Sequence, residues 1–356
     1  MLKRTLAAAG ALALTAGAAR AQAPDVADTT ARLTFGAFID SYYAWDFGRP
    51  DGHQRVLVTQ AARHDEFAVN LAHVEARYQS RSARGRLAVQ AGTAVQVNYA
   101  GEPDSVAGTS NFLPHLQEAW AGVAVSPTVW VDAGIFLSHI GSESWISADN
   151  PVYTRSLPSE LAPYYEAGVR ATWQATPTLA AQLSVLNGWQ NITENNGNKA
   201  AGLRVDWTAS PALTLSYSNF VGRERHATDG GQGLRVLNDV SARWSRGPGT
   251  VIATVDVGTQ EGDTWYTGSL LGRWWVTPTV GINGRVERYD DREGVIVPLR
   301  TNGASVGVDV ARGPALWRTE LRAFFGSPDA VFPDRGAGGG LAKSNTALVT
   351  SLSLRI

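Results

Sequence analysis

Charged side chains recur at every second position of otherwise apolar segments. In the run from Tyr165 to Trp173, Glu166 and Arg170 alternate with aliphatic and aromatic residues. Arginines that face carboxylates across an open lumen would impose a transverse field on passing solutes. The alternative is that these charges only pair with one another across neighbouring strands. The candidates for a pore-lining wall are Asp132, Glu166, Arg170, Arg204, Asp206, Arg243, Arg273, Arg285, Glu287, Arg318, Glu320 and Arg322.

Two short runs could hold a hydrolase nucleophile, namely Ser138-His139 and Ser142-Glu143-Ser144. A serine nucleophile needs a histidine within hydrogen-bond reach and an acid that orients this histidine. Consecutive residues of a strand point to opposite faces, so Ser138 and His139 are not expected to meet. No orienting acid stands at an evident spacing. We therefore predict no catalytic residues, and an enzyme remains the alternative.

Metal, cofactor and nucleic-acid sites find no support in the sequence. The chain has no cysteine, which excludes disulfides and thiolate metal sites. Lys and Arg number 31 against 32 Asp and Glu, and the net charge of −1 argues against nucleic acid as a partner. We predict no cofactor and no metal. The histidines considered show no metal-ligand spacing and are His53, His64, His73, His115 and His226.

Alternation with a period of two dominates the chain from Leu33 to Ile356. It predicts strands of about ten to fifteen residues, with an aliphatic face opposite a polar one. The clearest runs include Val129 to Leu137 and Leu87 to Tyr99. The run from Phe67 to Tyr78 places Phe67, Val69 and Leu71 on the face of His73, Glu75 and Arg77, which requires a bulge or a partly apolar lumen. A second irregularity places Asn238 on the apolar face.

Short turns and long polar loops alternate along the chain. Proline recurs in the short turns, because it cannot lie inside a hydrogen-bonded strand. Seven short turns between eight loops predict sixteen strands with both chain ends on one side, as in outer-membrane barrels. The short turns are 80–84, 126–128, 175–178, 210–211, 246–249, 277–279 and 312–314.

Aromatic residues flank both kinds of connection. Aromatic belts mark the two interfaces of a membrane barrel, whereas a soluble core buries its tryptophans mid-strand. The predicted lower belt, near the short turns, contains Tyr78, Trp130, Trp173, Trp207, Trp244, Trp274 and Trp317. The predicted upper belt, near the loops, contains Tyr43, Trp45, Tyr99, Trp189, Trp265, Tyr289 and Phe325.

The amino terminus predicts export. Lys3 and Arg4 precede an apolar stretch that is too short for a membrane helix, and Ala19-Arg20-Ala21 resembles a signal-peptidase site. We therefore predict a signal peptide over 1–21, a periplasmic lead over 22–32 and an all-β, transmembrane, antiparallel up-and-down barrel over 33–356. The predicted location is the bacterial outer membrane. Sixteen strands leave an aqueous lumen, whereas about eight would be filled by side chains.

The long loop from Ser138 to Ala162 is the candidate constriction. Folded inward, it would narrow the pore and bring both charge signs to the narrowest point. An outer loop packed on the rim is the alternative. The residues proposed for the constriction are Glu143, Trp145, Asp149, Asn150, Arg155 and Glu160.

Several motifs resemble those of the putative β-barrel porin-2 family, also called OmpL-like. They include Gly36 to Phe47, Asp132 to Gly141, Pro163 to Arg170 and Leu186 to Gln190. The resemblance implies a porin for small hydrophilic solutes, embedded in outer-membrane lipid and inserted by the barrel-assembly machinery through its last strand. That strand ends in Ile356, where such barrels often end in phenylalanine.

Three functions remain open at this point. A water-filled porin is the main hypothesis. We predict that it prefers anionic or polar solutes, because Arg170, Arg204, Arg243 and Arg273 fall on alternate strands. The alternatives are an outer-membrane hydrolase and a plugged structural or adhesive barrel. A homotrimer is expected by analogy with other sixteen-strand porins.

Overall fold

The computed structural model describes residues 31–227, 230–335 and 340–356. Sixteen antiparallel strands form one closed barrel in which each strand pairs with its neighbours in sequence and the last pairs with the first. The predicted fold class and strand number are confirmed. The barrel strands are β1 Arg32–Asp46, β2 Phe67–Gln79, β3 Ala83–Ala91, β4 Leu116–Ser126, β5 Val129–Leu137, β6 Tyr165–Thr176, β7 Leu179–Leu186, β8 Ala200–Ser210, β9 Leu213–Arg225, β10 Gln232–Arg246, β11 Gly249–Gln260, β12 Asp263–Trp275, β13 Val280–Asp291, β14 Leu299–Arg312, β15 Ala315–Phe325 and β16 Asn345–Arg355.

Closure follows from the solvent that surrounds the strands. Hydrocarbon offers no hydrogen-bond partner, so each backbone N–H and C=O must find one in the neighbouring strand, and a closed sheet leaves no edge. Seven short turns lie at the lower end of the barrel, where β1 begins and β16 ends, and eight loops lie at the upper end. The predicted signal peptide and most of the predicted lead lie outside the described residues.

The irregular strand β2 contains the bulge that its sequence requires. The register with β1 shifts between Asp40 and Ser41, where Leu71 and Val69 are the successive partners and Asn70 is skipped. Phe67 and Val69 consequently face outward, while Leu71, His73 and Glu75 face the lumen. The bulge is confirmed. Asn238 also lies on the outer face as predicted, and it is exposed.

One predicted strand is wrong in its upper half. The alternation from Leu87 to Tyr99 suggested one strand, but β3 ends at Ala91 and the chain turns at Gly92, whose φ is 138°. A short helix, α1 Thr93–Asn98, follows and buries Val95 and Tyr99. Period two and one turn of helix cannot be distinguished in so short a segment.

The outer face is aliphatic and carries the lower belt. Trp173, Trp207, Trp274 and Trp317 are each about half exposed, but Trp130 is buried on the lumen face and does not belong to the belt. The upper belt is only partly as predicted. Phe325 is exposed, whereas four of its predicted members are buried or packed inside the barrel mouth, namely Tyr99, Trp189, Trp265 and Tyr289.

The core of this barrel lies in its lumen. Loops from the upper end fold inward and bury apolar side chains such as Val58, Leu157 and Val295 against lumen-facing Phe220 and Leu237. The two α-helices are α1 and α2, which spans Leu157–Glu160, and 3-10 turns lie at Asp51–His53, Leu113–His115 and Ser147–Asp149. None of the helices among the described residues is long and apolar enough to cross a membrane.

Candidate constriction site

Loop 3, defined as residues 138–164, leaves β5 and folds down into the barrel. Every residue from 144 to 159 is buried, although the loop contains many polar side chains. Burial of polar groups is tolerated only when they are hydrogen-bonded. Loop 3 finds these partners on the lumen wall, from its first residues to its last.

The first residues of loop 3 are held by a buried histidine. The Nδ1 atom of His139 lies 2.8 Å from Oε1 of Glu166 on β6, and its Nε2 lies 2.7 Å from the carbonyl oxygen of Asn219 on β9. Both neighbours are acceptors, and an imidazolium can donate to both. Arg204 on β8 donates to the carbonyl oxygens of His139 and Gly141.

His139 is therefore protonated more readily than an ordinary histidine. Burial acts to lower the pKa of His139, but the charge and hydrogen bond of Glu166 and the carbonyl of Asn219 raise it, and the net shift is upward. The positive charge of nearby Arg204 opposes this shift. The first residues of loop 3 are thus fastened by a charge-assisted contact.

The middle of loop 3 is bound to the opposite wall. Ser147 donates to Asp40 on β1 at 2.8 Å, and Tyr153 donates to the same carboxylate at 3.2 Å. Arg318 on β15 donates to the carbonyl oxygens of Ser147 and Pro151. The Asp40 carboxylate thus binds side-chain hydroxyls of loop 3, and the Arg318 guanidinium binds the backbone of the same stretch from an adjoining part of the wall.

The last residues of loop 3 meet β13, β15 and the first loop. The backbone N–H and hydroxyl of Thr154 both donate to Glu320 at 2.8 Å, and the N–H of Leu157 donates to Glu287 at 2.6 Å. Glu160 accepts hydrogen bonds from the backbone and hydroxyl of Thr59 in loop 1, residues 47–66. These contacts complete a circuit of the lumen.

The six predicted constriction residues all belong to this inward fold, but most are buried within it. Trp145 donates to Gln90 on β3 at 2.9 Å, and Asn150 bonds the backbone of Ser144 in both directions. Asp149 accepts from Arg355 at 2.7 Å. Burial raises the pKa of the Asp149 carboxyl, and the charge of Arg355 opposes this.

The remaining three constriction residues stabilise the return of the loop. Glu143 accepts hydrogen bonds from the N–H and hydroxyl of Ser156. The guanidinium of Arg155 lies 3.7 Å from the centre of the Tyr164 ring, a cation–π contact. Burial raises the pKa of Glu160, while Arg155 and the hydroxyl of Tyr164 act against this.

All twelve predicted wall residues lie on the lumen face, and most of them are paired. Asp132 binds both Arg170, at 3.0 Å, and Arg84, at 2.7 Å. Arg204 binds Asp206 at 2.9 Å. Pairing between wall charges therefore describes much of this wall, across strands for Asp132 and along β8 for Arg204 and Asp206.

A second group of wall residues contacts loop 3 and is not exposed to solvent. Arg285 lies 3.2 Å from both Glu287 and Glu320, and Arg322 lies 2.8 Å from Glu287. These four side chains are almost completely buried. Arg318 contacts the loop backbone, and both Arg318 and Arg273 form ion pairs with Asp309 on β14.

Arg243 is the exception among the predicted arginines. Its side chain is half-buried and forms no hydrogen bond or ion pair with any described residue. The carboxylates that act on its charge are Asp149 and Glu143 of loop 3. Of the four arginines on alternate strands, Arg170, Arg204 and Arg273 have carboxylate partners and Arg243 does not.

The Ser138-His139 pair does meet an acid, contrary to the sequence-based expectation. Glu166 accepts from the hydroxyl of Ser138 at 2.8 Å and contacts His139 as well. The serine hydroxyl thus bonds the acid rather than the histidine, and Nε2 of His139 is occupied by the carbonyl oxygen of Asn219. A hydrolase needs the histidine to accept the serine proton, and this arrangement does not provide that.

Several residues of the site were missed by the sequence analysis. Arg84 was assigned to a turn, yet it lies in β3 and binds Asp132. Thr59 of loop 1 and Asn219 of β9 contact loop 3, but both residues are uncharged and were not among the candidates. Gly202 of β8 lies beneath the His139 ring, and a Cβ atom there would fall 2.4 Å from Nε2. Nothing local in the sequence marks these contacts.

Comparisons with known proteins agree on the fold. The family model "Putative beta-barrel porin-2, OmpL-like" matches residues 32–356. No curated protein sequence matches the chain. The outer membrane channel DcaP of Acinetobacter baumannii superposes with a TM-score of 0.60 at 11% identity, covering 94% of this chain and 100% of that one. An anion-selective porin from Comamonas acidovorans superposes with a TM-score of 0.59 at 12% identity, covering 92% of this chain and 100% of that one.

A third structure bears on assembly. The trimer form of OmpT, an outer membrane protein of Vibrio cholerae, superposes with a TM-score of 0.58 at 11% identity, covering 92% of this chain and 100% of that one. At such identities the three likenesses establish a shared barrel architecture.

Proposed function

The chain belongs to the putative β-barrel porin-2, OmpL-like family, and from this premise we propose that loop 3 sets the aperture of its channel. The protein is an outer-membrane β-barrel through which hydrophilic solutes diffuse passively. One observation carries the proposal about the aperture. Loop 3 bonds lumen-facing groups around the whole circumference, including Asp40, Glu166, Thr254 and Glu320.

Little free space is left beside the start of loop 3. A cavity of about 30 Å³ lies between the start of the loop and the wall formed by Arg170, Gln182 and Arg204. That volume holds about two water molecules. The proposal therefore favours small solutes over large ones.

Removal of the inward part of loop 3 tests this role. Deletion of residues 144–156 should raise single-channel conductance in planar bilayers, because the deleted segment is buried within the lumen. A deletion of 194–198 in the next loop is the matched control. Unchanged conductance in a folded barrel would contradict the constriction role. If the wild-type protein does not conduct and the deletion variant does, the result would instead favour the plugged-barrel alternative.

We propose that the channel prefers anions because of Arg243. Accessible charges decide selectivity, and the acidic pair Asp239 and Asp256 is buried while Asp206 is neutralised by Arg204. Arg243 therefore presents an unpaired positive charge to the lumen. The similarity to an anion-selective porin supports the same direction.

The charge preference is measurable as a reversal potential in a salt gradient. A charge about 8 Å from a passing anion contributes about 0.5 kcal/mol in water, so Arg243→Gln should lower the anion-to-cation permeability ratio roughly twofold. Arg246→Gln, at the exposed lower end of the same strand, is the matched control. Cation preference in the wild-type channel would overturn the proposal.

We further propose that the protein is not a hydrolase. The support is that Ser138 and His139 both bind Glu166 instead of each other. Ester hydrolysis by the purified protein that disappears in Ser138→Ala would contradict this. Conductance without such activity is the expected result.

The remaining partners follow from the barrel itself. We propose that the barrel-assembly machinery engages β16, whose outer face carries Leu348, Leu352 and Leu354. A homotrimer, as in the trimer form of the Vibrio cholerae protein, stays a prediction by analogy. Small outward residues would suit a subunit contact, and on β2 Ala72 and Ala76 face outward, whereas Ala68 lies before the bulge and packs inside.

A further inference from the structure

Two aspartates face each other inside the barrel, and we term them the aspartate pair. Asp239 on β10 and Asp256 on β11 are directly opposed across the strands, and both side chains lie on the lumen face. Residues in this position have Cβ atoms about 5 Å apart. Asp239 is fully buried and Asp256 is 2% exposed, so solvent does not screen the two carboxyl groups from each other.

No described side chain neutralises the aspartate pair. The charge that acts on Asp256 is the like charge of Asp239. Arg204 lies on the same row of the sheet, but it is bound to Asp206. Arg243 lies four residues below Asp239 on β10, and the carboxylates that act on it belong to loop 3. Buried charges in proteins are paired with an opposite charge or coordinate a metal ion.

The hydrogen bonds around the aspartate pair leave two carboxylate oxygens unused. Ser218 on β9 donates to Oδ1 of Asp239 at 3.0 Å. Thr267, opposite Asp256 on β12, donates to the carbonyl oxygen of Arg288 instead. Oδ2 of Asp239 and Oδ1 of Asp256 are buried and have no hydrogen-bond partner in the described part of the chain. Buried polar atoms are almost always satisfied, so these two oxygens point to a ligand.

A third unsatisfied oxygen lies beside the aspartate pair. Ser269 on β12 is more than nine-tenths buried, and its hydroxyl has no hydrogen-bond partner among the described residues. The register places Ser269 one diagonal step from Asp256 on the same face, a Cβ separation of about 7–8 Å. A calcium ion bonds oxygen atoms at about 2.4 Å, so one ion can reach both side chains.

Loop 3 closes over the same part of the wall. Arg204 on β8 donates to the carbonyl oxygens of His139 and Gly141. The hydroxyl of Ser142 lies 2.7 Å from that of Thr254, two residues below Asp256 on β11. Residues 139–142 therefore pass from β8 to β11 and cover the strands between them, including the aspartate pair.

We propose that the aspartate pair binds one hard divalent cation, Ca²⁺, beneath the start of loop 3. The charge of the ion balances two carboxylates, and oxygen ligands favour hard cations over softer metals. Bidentate carboxylates and the hydroxyl of Ser269 supply most of the about six oxygens that Ca²⁺ requires. The sequence-based expectation of no metal rested on cysteine and histidine, whereas this site is built from oxygen.

Calcium content tests the site directly. Barrels refolded in detergent from inclusion bodies carry no lipid-bound metal, and gel filtration removes unbound Ca²⁺. The wild type should retain about one more Ca²⁺ per chain than the double variant Asp239→Asn with Asp256→Asn. Asp206→Asn is the matched control, because this carboxylate lies on β8 beside its arginine partner, and it should keep the wild-type calcium content. Equal calcium in the wild type and the double variant would overturn the proposal.

Terbium luminescence then locates the ion. Trp265 packs against Gly258, two residues above Asp256, so excitation of its ring should sensitise Tb³⁺ bound at the aspartate pair. The apparent Tb³⁺ affinity should fall at least about tenfold in the double variant, and Ca²⁺ should displace Tb³⁺ from the wild type. Heat-modifiable mobility on gels verifies that each barrel is folded. Two carboxyls that share a proton would give neither calcium nor terbium binding above the double variant, which would refute the cation site while leaving solute diffusion through the channel unaffected.

Discussion

Gly202 lies beneath the ring of His139 and leaves no room for a side chain. A Cβ atom at Gly202 would lie 2.4 Å from both Cε1 and Nε2 of the ring. Ordinary contacts begin near 3.5 Å, so in Gly202→Ala the ring must retreat by about 1 Å. The bond from Nε2 to the carbonyl oxygen of Asn219, now 2.7 Å, would then stretch to about 3.7 Å and be lost.

The energetic consequence falls on loop 3 rather than on the barrel. Displacement of His139 also breaks its contact with the buried carboxylate of Glu166. Loss of one partner of a buried ion pair costs about 3 kcal/mol or more. At about 1.4 kcal/mol per factor of ten, the ratio of fastened to released loop falls more than roughly a hundredfold. The sixteen-strand hydrogen-bond network is untouched.

Single-channel recording is the assay. Gly202→Ala should show larger or more strongly fluctuating conductance than the wild type, because the first residues of loop 3 are released. Gly268→Ala on the outer face is the matched control, since a Cβ atom there meets its nearest neighbour at 3.4 Å. His139→Ala should reproduce the effect, and combining it with Gly202→Ala should add little. Wild-type conductance in a folded Gly202→Ala barrel would refute the claim that His139 fastens the first residues of loop 3.

Three further predictions concern the fastening of the loops. The raised pKa of His139 means that its stabilising contact is complete below the ordinary value of 6.5 and is lost as the pH rises through the shifted value. Conductance should therefore increase at alkaline pH, and a similar increase in His139→Gln would contradict this. Glu320→Ala should leave both donors of Thr154 unpaired at a cost of about 1–3 kcal/mol each, and trypsin or thermolysin should then cleave loop 3 faster. Glu102→Gln should loosen the loop over 92–115 from the loop over 187–199, because Glu102 accepts from the N–H of Ile192. Faster hydrogen exchange in these two loops is the expected result, and unaltered exchange would contradict it.

The strands of the barrel wall could be predicted from the sequence because their alternating polarity has a local cause. Each strand separates lipid from water, so polarity must change with every residue, and the period survives in the sequence. The failures occur where a second surface covers the strand. Trp130 lies on the lumen face with Asp132 and packs beneath Arg84, whose guanidinium is 4.7 Å from the ring, and Trp265 is enclosed by loop and wall residues. A belt inferred from position alone cannot distinguish these cases.

A sixteen-strand membrane barrel, its lumen-facing charges and a long third loop could all be predicted from the amino-acid sequence. The path of this loop into the lumen and the charges that it covers depend on contacts made in the folded chain. The reason is separation along the chain. Thr154 and Glu320 are 166 residues apart, and His139 and Asn219 are 80 apart. No local periodicity records such contacts, so Arg243 is distinguished from its paired neighbours only once the loop is in place.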